Sequence, residues 1–195
     1  MGRHSTARTR LLDAARDLIH ARSYAAASVD DLCLAAGVNK GSFYHFFPSK
    51  RDLILAVLDD SWERTRERVL EPAFQADIPP LERIDRFFHC VTAIHTRPVV
   101  LGCPFGNLAL ELSTMEEPVR DKIRAVFEGY QAYFARALTD AVTAGQVGSL
   151  DVSETAQALV AYFQGALVLA KTHNDARVIT NLARHARALI GAVQT

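Results

Sequence analysis

The chain has 195 residues, 49% of them hydrophobic types, and its 22 Lys and Arg balance 22 Asp and Glu to a formal net charge of zero. That length and composition fit a globular protein with a substantial core, arranged as one large or two modest domains. Three cysteines without framework spacing exclude a disulfide scaffold and point to a reducing compartment. No charged-then-apolar leader opens the chain, and no apolar run approaches the roughly 20 residues that a bilayer-spanning helix needs, so a cytoplasmic protein without a membrane role is expected.

The charge is unevenly placed. Residues 1–50 hold seven Arg and Lys against four Asp, a local excess of +3 that the remainder of the chain offsets. Met1 to Thr6 is a polar arm; Arg3, within it, and Arg8, just after it, either reach a minor groove or phosphate or belong to a solvated tail. Thr9 to Arg22 carries Leu11, Leu12, Ala15, Leu18 and Ile19 at helical spacing. Ser28 then caps a short helix, with Asp30 and Asp31 in its positive first turn and Val29, Leu32 and Ala36 on its apolar face. Gly37 sits where a helix ends in the left-handed conformation, and Asn39 caps a second short helix, Lys40 to Phe46. A helix of barely two turns is unstable alone, so Phe43, Phe46 and Phe47 are expected to hold it by packing. Lys40, Gly41, Ser42, Tyr44 and His45 then face outward, offering a cation, a small residue for close approach and three hydrogen-bonding side chains. Two short helices across a Gly turn make a helix-turn-helix.

Residues 9–53 closely resemble the DNA-binding domain of the TetR family of bacterial transcriptional regulators. The resemblance rests on Leu11, Leu12, Ala15, Ile19, Ser28, Val29, Leu32, Ala35, Ala36, Gly37, Val38, Lys40, Gly41, Tyr44, Phe47, Lys50 and Leu53. Phe46 departs from it, because many members carry a second His there. The resemblance implies an all-α fold of about nine helices, with a DNA-binding domain over 1–50 and an effector-binding and dimerisation domain over 51–195. It also implies that Ser28, Lys40, Gly41, Ser42, Tyr44, His45 and Lys50 form the DNA face. Lys50, with Arg51, lies in the first turn of the next helix, where a cation opposes the helix dipole unless an anion such as a DNA phosphate is near.

That next helix is capped by Ser49 and runs to about Glu71, with Leu53, Ile54, Val57, Leu58, Ser61, Trp62, Thr65 and Val69 along one face. Pro72 to Pro80 reads as a loop. Leu81 to Thr96 is helical with Leu81, Ile84, Phe88, Val91 and His95 in register, and Pro104 opens a further helix after Gly102 and Cys103. Glu117 to Ala144 places Val119, Ile123, Phe127, Tyr130, Phe134, Leu138 and Ala141 inward. Asp151 and Glu154 make an acidic capping box for a helix to about His173, and the last helix spans about Ala176 to Val193. No strand and no internal repeat is read.

Pockets in helical bundles are mostly apolar with a few placed polar groups. Candidates to line one are Trp62, Phe88, His95, Cys103, Phe105, Asn107, Glu111, Phe134 and Phe163, together with Val91, Leu108, Tyr130 and Gln164; plain core packing is the competing reading for each aromatic. Cys103 at a helix start is either an electrophile-sensitive thiol, as in some TetR-like regulators with a similar segment, or an inert buried Cys. Gly165, Ala166, Ala170, Ala183, Ala186 and Ala188 either pair two protomers or pack within one. The expectation is a regulator, most simply a repressor. It binds a double-stranded, pseudo-palindromic operator as a homodimer and is released by a small hydrophobic or electrophilic effector, without a cofactor, metal or enzymatic activity. The alternative is a ligand-independent architectural DNA-binding protein.

Overall fold

The computed structural model describes residues 3–95 and 98–191, apart from the side chains of residues 3–5. Its regular elements are all helical. They are α1 (Arg3–Arg22), α2 (Val29–Ala36), α3 (Lys40–Phe46), α4 (50–73), α5 (Pro80–Ile94), α6 (Pro104–Leu112), α7 (Glu117–Thr143), α8 (Val152–His173) and α9 (Arg177–Gly191). The nine helices expected from sequence are thus present among the described residues. The helix limits expected at Thr96 and Val193, and the Arg3 side chain, lie outside them.

The chain falls into two compact units, Met1–Arg64 with Pro104–Arg124, and Thr65–Cys103 with Ala125–Thr195. In the first, Leu11, Leu12, Ala15 and Ile19 of α1 are buried with Leu32 and Ala36 of α2, Phe43 and Phe47, and Leu53, Ile54, Val57 and Leu58 of α4. A closed ring of ion pairs ties α1 to α4. Asp13 binds Arg16 (2.6 Å) and Arg64 (3.1 Å), and Asp60 binds the same two guanidinium groups at 2.9 and 2.8 Å. Each group has at least two partners, Arg16 reaching Asp17 (3.6 Å) as well, which fixes geometry better than isolated surface pairs do. Lys122, at the start of α7, adds a contact to Asp59 (2.5 Å).

Four details depart from the sequence reading. The first is that α1 already begins at Arg3, so residues 3–6, expected as part of a polar arm, are helical. The helix begun at Lys50 does not stop before Pro72 but runs to Ala73, because the turn Arg66–Leu70 is π-helical and the Glu71 N–H bonds the Arg66 carbonyl five residues back. Proline breaks a regular α-helix by clashing with the carbonyl four residues earlier, and a widened turn relieves that clash. The loop is therefore shorter, 74–79. Along α7 the buried stripe passes through Val126, with Phe127 only half-buried. Val126 lies three residues after Ile123 and four before Tyr130, so it continues the face that Phe127 leaves.

In the second unit the core is aromatic. Phe87 meets Phe134 (5.0 Å), Phe163 (4.9 Å), Phe88 (5.5 Å) and Tyr130 (6.1 Å) edge-to-face, the arrangement that aromatic quadrupoles prefer. Arg83, only 5% exposed, donates to the carbonyls of Ile78 (2.8 Å) and Ala76 (3.0 Å) and pairs with Asp140, fixing the 74–79 loop. Asn174 ends α8 in the left-handed region at φ 49°, and its side-chain oxygen accepts from Val100 N–H (2.8 Å).

Candidate nucleic-acid interface

The α2–turn–α3 segment is set by local chemistry. Ser28 Oγ accepts from Asp31 N–H (3.1 Å) while the Asp31 carboxylate accepts from Ser28 N–H (2.9 Å) and its hydroxyl, a complete capping box. These bonds to the ionised form hold the Asp31 carboxyl below the usual aspartate range, the Ser28 hydroxyl being the larger cause. Gly37 closes α2 at φ 62°, its N–H bonded to the Leu34 carbonyl, and Val38 N–H returns to Cys33 (3.0 Å). Asn39 then caps α3, its side-chain oxygen accepting from Ser42 N–H (2.7 Å). A Cβ on Gly41 would sit 3.3 Å from that same oxygen, so glycine leaves the cap undisturbed.

Burial divides α3 into two faces. Phe43 and Phe47 are buried, whereas Lys40, Gly41, Tyr44 and His45 are exposed and Ser42 is half-buried. Phe46 is less enclosed than the other two phenylalanines. It is half-buried, stands edge-on to His45 (4.8 Å) and lines the open side, since a seven-residue helix has only one inward face. Ala7, Arg10, Gly37, Val38, Asn39, Gly41, Ser42, His45 and Phe46 surround an open cleft of about 790 Å³. Arg10 was not foreseen in this group; its guanidinium lies over the Gly37 carbonyl (3.4 Å), and its place on the polar side of α1 was the available signal.

The two expected lysines are held differently. Lys40 is 58% exposed and pairs with Asp30 (2.9 Å, 71% exposed), a hydrogen bond that raises its pKa. Lys50 is half-buried, donates to the Tyr24 carbonyl and stands 4.0 Å above the Tyr24 ring. Burial lowers its pKa, and the nearby carboxylates of Glu111 and Asp31 oppose that shift. Ser28 is exposed but engaged in the cap.

The expected effector residues divide between the two units. Trp62, Phe105, Asn107 and Glu111 belong to the first. Trp62 and Phe105 meet edge-on (6.4 Å), Asn107 is half-buried, and the Glu111 carboxylate accepts from the N–H groups of Tyr24 (2.9 Å) and Ala25 (2.6 Å). Phe88, His95, Cys103, Phe134 and Phe163 belong to the second, where Phe88, Phe134 and Phe163 surround Phe87. His95 ends α5 with its ring nitrogens near the carbonyls of Val91 (2.8 Å) and Gly102 (3.4 Å). The Cys103 thiol is buried, and the Gln164 amide approaches it at 3.5 Å. Tyr130 is fully buried beside it, and desolvation pushes its pKa well up. Among the described residues no group of three or more His, Cys, Asp or Glu could hold a metal ion, and no helix is long and apolar enough to cross a membrane.

Residues 11–57 match the family profile described as bacterial regulatory proteins, tetR family, and residues 80–186 match the tetracyclin repressor-like C-terminal domain. An HTH-type transcriptional regulator in the lacX 3′ region of Lactococcus lactis subsp. lactis is 30% identical over 171 residues, covering 87% of this chain and 86% of that protein. The HTH-type transcriptional repressor DhaR of Mycobacterium sp. (strain GP1) is 28% identical and covers 86% of this chain and 84% of its own. The crystal structure of regulatory protein TetR from Rhodobacter sphaeroides superposes with a TM-score of 0.86 at 27% identity, covering 94% of this chain and 98% of that one.

Proposed function

The chain belongs to the TetR family of bacterial transcriptional regulators, and from that premise we propose that it is a repressor acting as a homodimer on a pseudo-palindromic operator. The family and its relatives are regulators, so the protein is a DNA-binding helix-turn-helix regulator and not an enzyme. DNA reading is assigned to residues 1–50, and effector recognition and dimerisation to 51–195, with the cytoplasm as the place of action.

The observation that carries the reading is the division of α3. Phe43 and Phe47 anchor one face, while Lys40, Gly41, Tyr44 and His45 are exposed, Gly41 and His45 also lining the Arg10 cleft. A short recognition helix of this kind presents hydrogen-bonding groups to base edges and a cation to phosphate. One such helix makes few contacts, and two related by a two-fold axis read two half-sites about one helical turn or more apart.

Support for a second copy comes from α8. Ala166 and Ala170 there, and Ala186 on α9, are buried within the protomer, which removes them from the small residues considered for an interface. The exposed residues Ala158, Ala161, Gly165, Val168 and Thr172 recur at alternating steps of three and four, with Leu169 alongside. That spacing is the seam of a helix pair, and a Cβ on Gly165 would meet nothing within 4 Å. In favour of an effector, the second unit offers an aromatic cluster with Cys103, Gln164 and the Tyr130 hydroxyl, a mostly apolar surrounding with few polar groups. Its proposed occupant is a small hydrophobic or electrophilic molecule that favours a conformation with a displaced α4. A coupling of about 1–3 kcal/mol would change operator affinity roughly 5 to 150-fold.

Selection of bound sequences from random duplex DNA tests the reading. A two-fold symmetric consensus is expected; weak, unsymmetric preference would favour an architectural binder instead. The selected duplex then serves to screen metabolites and electrophiles for release.

A further inference from the structure

The turn joining α1 to α2 is held from two directions by side chains far away in sequence. Glu111, on α6, accepts from Tyr24 N–H through one carboxylate oxygen (2.9 Å) and from Ala25 N–H through the other (2.6 Å). Lys50, in the first turn of α4, donates to the carbonyl of the same Tyr24 and covers its ring. Just before it, Ser23 has φ 137°, a conformation that side-chain-bearing residues keep only where their surroundings over-determine it. A surface turn of this length ordinarily leaves its N–H groups to water. Two charge-assisted hydrogen bonds to one carboxylate fix its position more firmly than water does. Ser28, which caps α2, follows three residues after Ala25, and α2 leads through Gly37 to α3.

We propose that Glu111 is a positioning residue for DNA recognition: by gripping the Tyr24 and Ala25 amides it sets where α2 and α3 stand in the reading unit. Glu111 thereby leaves the set of effector contacts expected from sequence. Release of the grip loosens α2 and α3 without removing any group that faces DNA.

This role rests on the operator-binding reading above, and the two fail differently. If selection returns no symmetric consensus, that reading falls first. If a consensus is obtained, its fluorescently labelled duplex is used with the full-length protein and with Glu111→Gln. Gln keeps the shape but offers one acceptor oxygen where the carboxylate offers two, and its NH₂ would face an N–H. The variant is expected to bind the selected duplex about tenfold more weakly, within the usual range of coupling between sites. Its affinity for unrelated duplex of equal length, a phosphate-charge term, should stay near the wild-type value. Loss of both affinities together, with a lowered melting temperature, would mark a merely structural residue and overturn the proposal, as would unchanged specific binding. Amide hydrogen exchange of the wild-type protein keeps the test open if the variant does not fold. Saturation with the selected duplex should slow exchange at Tyr24 and Ala25, and unchanged exchange at both would also overturn it.

Discussion

Replacing Lys40 by Gln tests whether the exposed face of α3 meets phosphate. In the free protein Lys40 is paired with Asp30 at 2.9 Å, and both groups are well exposed, so the pair is screened by water and salt and yields readily to a stronger anion. A DNA phosphate is such an anion. Each phosphate neutralised by a protein cation contributes about 0.9 to the slope of log K against log salt. A homodimer brings two copies of Lys40, so the slope should fall by roughly 1.8 in the variant. Between 50 and 200 mM salt, a fourfold change, the variant's affinity deficit should therefore shrink about tenfold. Fluorescence anisotropy titrations of the selected duplex at four or five salt concentrations read this directly. Asp30→Asn supplies the opposite sign, because it removes the competing carboxylate and should raise affinity, most strongly at low salt. An unchanged slope for the Lys40 variant would refute the phosphate contact and leave Lys40 as a partner of Asp30 alone. A reduction near 0.9 would refute the two-fold arrangement.

Arg83→Ala should destabilise the C-terminal unit by about 2–3 kcal/mol, since a nearly buried guanidinium that serves two carbonyls and Asp140 is lost; the readout is the thermal midpoint, and a shift below one degree would contradict the assigned role. Asp31 supplies a pH dependence of known sign. Its folded-state pKa is depressed by the Ser28 hydroxyl and N–H, so its stabilisation is fully present above the ordinary aspartate range and is lost as pH falls through the depressed value. In Ser28→Ala that acid-sensitive component should be smaller, as measured by melting between pH 2 and 6, and an identical pH profile would contradict it. Leu169→Glu, on the exposed seam of α8, should give monomers in sedimentation at micromolar concentration while leaving the helical circular dichroism intact. A variant that stays dimeric would remove α8 from the interface.

Features fixed by near neighbours were legible in the residues. The caps Ser28, Asn39, Ser49 and Asp151 each act on an N–H three residues on, and Gly37 needs only its own φ, so spacing along the chain suffices to place them. The reciprocal half of the α2 cap was available too, as Asp31 three residues after Ser28. Pro72 misled because the rule that proline ends a helix assumes α-geometry, whereas the π-turn before it changes which carbonyl the ring meets. Phe127 and Phe46 are only half-buried because each lies at the border of its helix's inward face, and spacing alone does not separate border from centre. Glu111 was beyond reach for another reason. Its partners are backbone amides 86 and 87 residues away, and a bond from side chain to backbone leaves no pattern in residue type. The face of α3 was legible for the converse reason: seven residues with two buried phenylalanines determine which side is left outward.

Hydroxyl-radical footprinting of the full-length protein on its selected duplex tests the central claim most directly. Two protected patches on one face of the duplex, related by a two-fold axis and separated by about one helical turn or more, are the expected result, and both should fade in Tyr44→Ala and Lys40→Gln. A single uninterrupted footprint indifferent to sequence, or one that those α3 variants leave intact, would contradict it.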